Sequence, residues 1–316
     1  MTAYLVKRGG AVVPTVLGIV TIVFLMVRLI PGDPATAIGG ETLSGEALER
    51  LRERLGTNGP LLTQYWNYIS SVAQFDLGRS LHTGLPVTKM VMDALPVTVV
   101  VGLSSLVLGM IIAVPIGAFA AYARSRGKVG ADSALTTGSM IVDTIPGFWL
   151  ALIFILFFSI QLGWFPVSGP IDWGDPVRVV KRLALPVSIL AIGQVASVAR
   201  ITRTAVLESL NDDYVRTARA LGTPELQVLF RHALRNSALP LVTITGLSVG
   251  RLIGGTVITE SIFSLPGMGT VLIKAIAGRD YPVIQGVILL FALMFVVVNV
   301  LTDLVYTRVD PRVRLS

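Results

Sequence analysis

Long apolar runs separated by polar segments organise this sequence. A helix needs roughly 20 mostly apolar residues to cross a hydrocarbon core about 30 Å thick. Runs of about that length cover 10–30, 97–122, 139–160, 183–201, 239–259 and 283–306. The pattern therefore predicts an all-α polytopic membrane protein with six transmembrane helices.

The runs divide the chain into three parts. Residues 1–30 hold the N-terminus and the first transmembrane helix, residues 31–96 a small helical segment outside the cytoplasm, and residues 97–316 the transmembrane core. Lys7 and Arg8 precede the first run, as in a signal peptide, but the run is too long and no small-residue cleavage site follows it. We therefore expect a retained helix.

The distribution of Lys and Arg predicts the orientation in the membrane. Six spans place both termini on one side, and the loops on that side carry more Lys and Arg than the opposite loops. Many of the opposite residues lie in 31–96, which is too long to weigh much under the positive-inside rule. We expect a multi-pass protein of the cell membrane with both termini in the cytoplasm.

Composition argues against several classes of protein. Hydrophobic residues make up 53% of the chain and charged residues 14%, whereas a soluble domain carries about 25% charged residues. Cysteine is absent and the two histidines are far apart in sequence, so we expect no metal site. The net charge of +7 fits the basic loops of a membrane protein, and without stacking aromatics beside a basic patch we expect no nucleic acid partner.

The segment 31–96 contains two amphipathic stretches. In the first, Ser44 can cap a helix, Gly56 can end it, and Glu46 with Arg50 forms a favourable i,i+4 pair. The second carries aromatic residues of the kind that favour a membrane interface: Tyr65, Trp66, Tyr68 and Phe75. The segment reads as a cap on the outer helix ends or as a docking surface for an external partner, and the two are compatible.

A cytoplasmic loop of about 204–238 joins the fourth and fifth predicted spans. Asp212, or the asparagine before it, can cap a short helix that runs to Leu221, and Gly222 suits the left-handed turn at its end. A short helix held between two spans can bind in a groove on another protein and transmit motion to the spans. The same capping and helix-ending residues also fit an ordinary polar loop.

A second helix is predicted directly after the first. Thr223 can cap it, with Pro224 at its first position and Glu225 in its first turn. This helix runs toward the fifth span.

The loop resembles the EAA loop of ABC importer permeases, where a helix docks on the ATPase. Arg216-Thr217-Ala218 stands where Glu-Ala-Ala is usual, Gly222 matches the glycine, and Leu239-Pro240 matches the downstream Leu-Pro. The non-acidic first position and the wider interval from Gly to Pro look like the peptide-permease branch. The resemblance implies a set of ATPase-coupling residues: Asp213, Tyr214, Arg216, Thr217, Ala218, Arg219, Leu221 and Gly222.

Seven further motifs resemble, in the right order, the dipeptide/oligopeptide/nickel permease family. They are Arg28-Leu-Ile-Pro-Gly-Asp-Pro34, Gly78-Arg-Ser80, Thr144-Ile-Pro-Gly-Phe148, Leu162-Gly-Trp-Phe-Pro-Val-Ser-Gly169, Glu260-Ser-Ile-Phe-Ser-Leu-Pro-Gly-Met-Gly269, Arg279-Asp-Tyr-Pro282 and Asp310-Pro-Arg312. The beginning of the chain is similar to the first, B-type, permease of dipeptide systems. The resemblance implies a type I ABC importer permease fold in membrane lipid, a heterodimer with a second permease, two cytoplasmic ATPase subunits and an extracytoplasmic substrate-binding protein.

Within the spans, Gly246, Gly250 and Gly254 recur every fourth residue and favour close helix packing. Arg251 is an intramembrane charge, which is expensive unless it faces water, a partner or a carboxylate. We expect it to line a translocation path. The other candidates for that path are Ser248, Glu260 and Asp143.

The leading hypothesis is a permease subunit that, with a second permease, forms the path for uptake of di- and oligopeptides by alternating access. The same machinery also imports glutathione, haem or nickel in relatives of this pattern. No G-x-x-x-x-G-K-S/T motif is present, so we expect no catalytic or cofactor site here, and ATP and Mg to be bound by partner subunits.

Two other classes of function fit the sequence less well. A gradient-driven secondary transporter favours intramembrane carboxylates or internal repeats, and no convincing repeat is visible. Gly246-Leu-Ser-Val-Gly250 matches a hydrolase motif but lacks the strand-to-helix turn, the acid and the base that the chemistry needs.

Overall fold

The computed structural model describes residues 2–28, 35, 45–54 and 59–309, and these residues are almost entirely helical. The chain forms two compact units. One unit comprises Met1–Leu95 with Val271–Val296, and the other comprises Pro96–Thr270 with Val297–Ser316.

Three helices with described bounds belong to the first unit alone, and three others continue from it into the second unit. The three helices are α1 (Thr2–Arg28), α2 (Glu46–Arg54) and α3 (Leu61–Ala73). The shared helices are α4 (Val87–Ser125), α10 (Met268–Gly278) and α11 (Tyr281–Val309).

Helices α2 and α3 correspond to the two amphipathic stretches predicted in the segment 31–96. Arg50 pairs with Glu46 as expected, but both side chains are more than two-thirds exposed, so the pair adds little stability. The predicted caps Ser44 and Gly56 lie outside the described residues.

The aromatic residues of α3 divide into a packed set and an exposed set. The rings of Tyr65 and Tyr68 lie 5.2 and 5.7 Å from the ring of Phe24 in α1, and the Tyr65 hydroxyl hydrogen-bonds Thr21 Oγ1 at 2.7 Å. Trp66 of α3 is exposed, and so is Phe75 in the turn after the helix. These contacts fit the interpretation of a cap packed on the first helix, and docking of an external partner stays a prediction.

A buried carboxylate joins two motifs that are about 200 residues apart in sequence. Asp280, between α10 and α11, accepts hydrogen bonds from Ser80 Oγ at 2.5 Å and from the Leu81 amide at 3.2 Å. His82 also hydrogen-bonds the carbonyl of Gly278. The loop before α4 is thereby held on the turn between α10 and α11.

Outside the segment 225–236, the described part of the second unit contains five further helices. They are α5 (Val129–Thr144), α6 (Gly147–Phe154, which continues as a π-helix over Ile155–Gln161), α7 (Pro176–Leu210), α8 (Asp213–Ala220) and α9 (Ala238–Ile262).

Among the described residues, four helices are long and apolar enough to span a membrane by themselves: Val87–Ser125, Pro176–Leu210, Ala238–Ile262 and Tyr281–Tyr306. They correspond to the second, fourth, fifth and sixth predicted spans. In α1 the apolar part among the described side chains is Val13–Met26, shorter than a span. The count of six spans therefore stays a prediction.

The third predicted span, 139–160, is wrong as a single helix. The chain bends by 90° between α5 and α6, with Ile145 and Pro146 in extended conformations. Proline has no amide hydrogen and disfavours helical geometry in the residue before it, so the helix ends there. The pair is a broken span or a re-entrant segment.

Helix α7 is the most buried of the four spans, with 61% of its apolar window buried against 28–33% for the others. Asp175 caps its start by accepting hydrogen bonds from the amides of Val177 and Arg178, and Pro176 follows the cap. Helix α4 approaches it closely at two glycines. A Cβ on Gly109 would meet Gln194 at 2.5 Å, and one on Gly117 would meet the backbone of Ala199 at 2.4 Å.

A buried arginine fastens two loops to the beginning of α7. Arg182 is 3% exposed and donates to the carbonyls of Val167 at 2.9 Å and Gly169 at 3.3 Å, in the loop before α7. It also donates to the carbonyls of Phe263 at 2.6 Å and Ser264 at 3.3 Å, directly after α9. Four carbonyl acceptors thus compensate the burial of one charge.

We expect Arg182→Met to destabilise the protein by about 2–4 kcal/mol, because it leaves buried carbonyls without donors. The measurement is the midpoint of thermal unfolding of the purified protein in detergent.

Arg178→Met is the matched control on the same helix, since the Arg178 side chain is 76% exposed and an exposed ion pair contributes at most about 1 kcal/mol. Equal shifts of the midpoint for the two variants would contradict the role assigned to Arg182.

Candidate functional site

Helix α8, in the loop 211–237 between α7 and α9, is held by its apolar face. Val215 is fully buried and Ala218 is nearly so, and they pack in one cluster with Val206 and Leu210 of α7 and with Leu229. The loop is shorter than predicted because α7 continues to Leu210, beyond the predicted end of the span. Burial of this face fixes α8 to the end of α7.

Gly222 ends α8 as predicted, with φ at +80°. The Gly222 amide donates to the carbonyl of Arg219 at 2.9 Å, and the Thr223 amide donates to the carbonyl of Ala218 at 3.1 Å. These two bonds form a Schellman motif, which needs a left-handed residue at the position of Gly222.

The second predicted helix of the loop is present and begins one residue later than expected. It runs through Glu225–Gln227, a π-helix over Val228–Ala233, and Leu234–Asn236. Pro224, not Thr223, occupies the N-cap position. The Thr223 amide already belongs to the end of α8, so the next helix starts after it.

A charged clamp ties the end of α8 to a second loop. Glu225 Oε1 lies 3.3 Å from Arg219 Nε and 3.4 Å from an Nη of Arg126. Arg126 belongs to the turn between α4 and α5, and its guanidinium carbon lies 5.6 Å from the ring centroid of Tyr122. The clamp therefore joins the end of α8 to the turn after α4, in addition to the apolar packing of α8 on α7.

The outer surface of the loop is apolar at its tip. Leu221 is 81% exposed, with Leu226, Phe230 and Tyr214 also exposed. Large exposed apolar side chains that lie together mark interaction sites. Of the eight residues implied to couple to an ATPase, Ala218 faces inward and Arg219 is partly covered, and the others are exposed: Asp213, Tyr214, Arg216, Thr217, Leu221 and Gly222.

Arg251 and Ser248, two candidates for the path, lie together in α9. Arg251 is exposed and donates from its two Nη atoms to Ser197 Oγ at 3.2 Å and to Ser248 Oγ at 3.5 Å. Ser248 is 1% exposed, and its own hydroxyl donates to the carbonyl of Ile244 at 2.8 Å. Ser248 therefore supports Arg251 rather than facing open space.

Glu260 and Asp143 lie in different surroundings. Glu260 is fully buried and its Oε2 accepts a hydrogen bond from the Gly269 amide at 2.7 Å. A Cβ on Gly267 would come within 2.3 Å of the same oxygen, so the glycines of this motif make room for the carboxylate. The structure thus gives Glu260 a loop-closing position, while Asp143 is exposed just before the bend at Ile145.

The three glycines of α9 do not share one environment. Gly246 is buried, and a Cβ added there would come within 2.8 Å of Thr302 Cγ2 in α11. Gly250 and Gly254 are exposed, and no atom lies within 4 Å of a Cβ on Gly254. The ridge packs within this chain at Gly246, and the described residues leave its continuation uncovered.

Several polar groups at the core of the second unit were not singled out from the sequence. Gln194 donates to the carbonyl of Ser105 at 2.6 Å, and Asp132 pairs with Arg203 across 71 residues. Neither pair carries a local signal. For Arg182 the available signal was a charge directly before an apolar run, which also fits a residue at the membrane interface.

The helices and this loop define the fold of a type I ABC importer permease. The solved structure of the methionine ABC transporter MetNI in inward-facing conformations is similar, with a TM-score of 0.60 and 17% identity, covering 70% of this chain and 96% of that chain.

The family is shown by sequence. The model of the binding-protein-dependent transport system inner membrane component matches residues 113–315, and the model of the N-terminal part of the corresponding membrane component matches residues 1–102. The chain belongs to this family of transport system membrane components.

Full-length relatives agree with this assignment. The chain is 40% identical to a putative peptide transport system permease protein of Brucella abortus, 38% to the oligopeptide transport system permease protein AppB of Bacillus subtilis, and 36% to the glutathione transport system permease protein GsiC of Escherichia coli. Each match covers 99% of this chain and 99% of the relative.

We expect Gly222→Ala to loosen the end of α8, because a left-handed residue with a Cβ costs about 1–2 kcal/mol. Hydrogen exchange at the backbone amides of position 222 and of Thr223 should become about tenfold faster, measured by mass spectrometry on the purified protein.

Gly222→Asn should show a smaller change, since asparagine tolerates this conformation. Gly130→Ala is the neutral control, because Gly130 lies in α5 with open space around a Cβ and no left-handed φ. Unchanged exchange in Gly222→Ala would show that the Schellman bonds do not depend on the glycine.

Proposed function

We propose that this chain is the permease subunit of an ABC importer that, with a second permease, forms the path for di- and oligopeptides by alternating access. Family membership and relatives named as peptide permeases support this function. The observation that carries it is α8, a short helix packed firmly on α7 with exposed apolar residues at its tip.

In the proposed mechanism, α8 seats in a groove on a cytoplasmic ATPase and transmits its motion to α7. Val215 and Ala218 pack against α7 and against the following loop helix. The clamp of Glu225 with Arg219 and Arg126 holds α8 from the side. Leu221 and Leu226 form the docking tip. Motion of the ATPase then moves α7 as a body because the contact between the two helices is buried.

The proposed assembly places all nucleotide chemistry in partner chains. Two ATPase subunits bind ATP and Mg on the side of the 211–237 loop, and this chain has no enzymatic activity of its own. Both termini lie on the same, cytoplasmic side, which the excess of Lys and Arg there supports. A substrate-binding protein delivers the peptide from the outer side, where the segment 31–96 lies.

Glutathione is the second candidate substrate, because a full-length relative at 36% identity is named a glutathione transport system permease. Glutathione is itself a small peptide, so the same path serves both. Nickel, haem and a gradient-driven mechanism have no comparable observation in their favour.

The test is peptide-dependent ATP hydrolysis by the complete complex in lipid, comparing wild type with Leu221→Ser. Leu221 is 81% exposed, so the substitution leaves the fold intact and removes part of the docking tip. We expect peptide-stimulated hydrolysis to fall at least about tenfold, the usual effect of losing an interface residue that contributes more than about 1.4 kcal/mol.

Val129→Ser is the control, since Val129 is an exposed apolar residue at the start of α5, outside the loop. It should retain wild-type hydrolysis. Peptide uptake that continues without any ATPase would overturn the proposal in favour of a gradient-driven carrier, and full activity of Leu221→Ser would remove Leu221 from the docking tip.

A further inference from the structure

One face of α9 is left open by the residues that the structure describes. Its exposed residues follow a helical spacing of three and four: Leu247, Gly250, Arg251, Gly254 and Ile258. Arg251 is the single charged residue of this face. Because α9 is one of the four helices long and apolar enough to span the membrane, the charge lies within a hydrophobic segment.

The guanidinium of Arg251 is oriented but not neutralised. Its acceptors, Ser197 Oγ and Ser248 Oγ, are uncharged, and both serines are buried, at 7% and 1% exposure. Among the residues that the structure describes, no carboxylate lies within ion-pair distance of Arg251. Serines of α7 and α9 therefore orient the guanidinium of Arg251 at the exposed face of α9.

The neighbours of Arg251 leave room for a ligand. Gly250 is exposed directly before it, and Gly254 follows three residues later with nothing within 4 Å of an added Cβ. A glycine offers no side chain to cover the guanidinium, so its free N–H groups face open space. An uncompensated charge in a span is expensive, and such residues face water-filled cavities and bind ions or substrates.

We propose that Arg251 binds the carboxylate of the transported peptide as it passes through the membrane. The inference rests on the proposed function and names the substrate group that the path recognises. A guanidinium matches a carboxylate with two parallel N–H···O bonds. Every peptide with a free C-terminus carries this group whatever its side chains, so one arginine serves substrates of many sequences.

The first experiment asks whether position 251 faces water in the assembled complex. The chain has no cysteine, so Arg251→Cys introduces a single thiol. We expect it to react with a membrane-impermeant anionic methanethiosulfonate reagent, and Leu252→Cys, a control at a residue that is 7% exposed, to react at least about tenfold more slowly because the thiolate must be accessible. Equal protection of both thiols would overturn the inference, because position 251 would then be covered by lipid or by the second permease.

The second experiment compares peptides that differ only at the C-terminus. ATP hydrolysis by the complete complex is measured with a tripeptide that has a free carboxylate and with its C-terminal amide, for wild type, Arg251→Gln and Arg251→Lys. The binding protein is the same throughout, so its own preference cancels between variants. We expect Arg251→Gln to reduce the preference for the acid about tenfold or more, the usual size of a charge-assisted hydrogen bond, and Arg251→Lys to restore part of it.

Arg200→Gln is the matched control, since it removes an exposed arginine from α7, and it should keep the wild-type preference. An unchanged ratio of acid to amide in Arg251→Gln would overturn the inference, and so would an equal loss for both peptides, which indicates an ion pair with the second permease. Failure of the proposed function is distinct: wild type itself would then respond to neither peptide.

Discussion

The close packing of α4 on α7 is the constraint on which the second unit depends. Gly117 of α4 lets its backbone approach the backbone of α7 at Ala199, and Gly109 leaves room for the Gln194 side chain of α7. With its 35 residues, α7 is about 52 Å long, and both of its ends carry attachments. Arg182 holds two loops at its start, and Leu210 helps to hold α8 at its end. A displacement of α8 therefore acts on α7 as a single, well-packed helix.

Polar groups in the spans fall into two kinds, and their hydrogen-bond partners distinguish them. Gln194 and Glu260 are buried, and each makes one hydrogen bond to a backbone group of its own chain. Arg251 is exposed, and among the described residues its hydrogen-bond acceptors are two hydroxyls. The first kind stabilises the fold, whereas a charge that the chain orients without neutralising is available to a ligand.

The loop 211–237 is apolar on two sides for two different reasons. Val215 and Ala218 face α7 and fix α8 to it. Leu221 and Leu226 face outward and are exposed. The clamp at Glu225 adds a lateral tie to the end of α4. A loop helix packed in this way is held rigidly on its own chain and presents apolar side chains to another protein. Mechanical coupling needs both properties.

The sequence by itself determined the helical class, four of the spans and the end of α8 at Gly222, because these follow from apolar run length and from backbone preferences within a few residues. The same local physics ends a helix before Pro146, although the hydropathy of 139–160 concealed it. Only the tertiary structure decided which distant groups meet, such as Ser80 with Asp280, and which face of α9 stays open. Such pairs depend on how the whole chain folds. The residues next to them in sequence do not indicate which distant group each will contact.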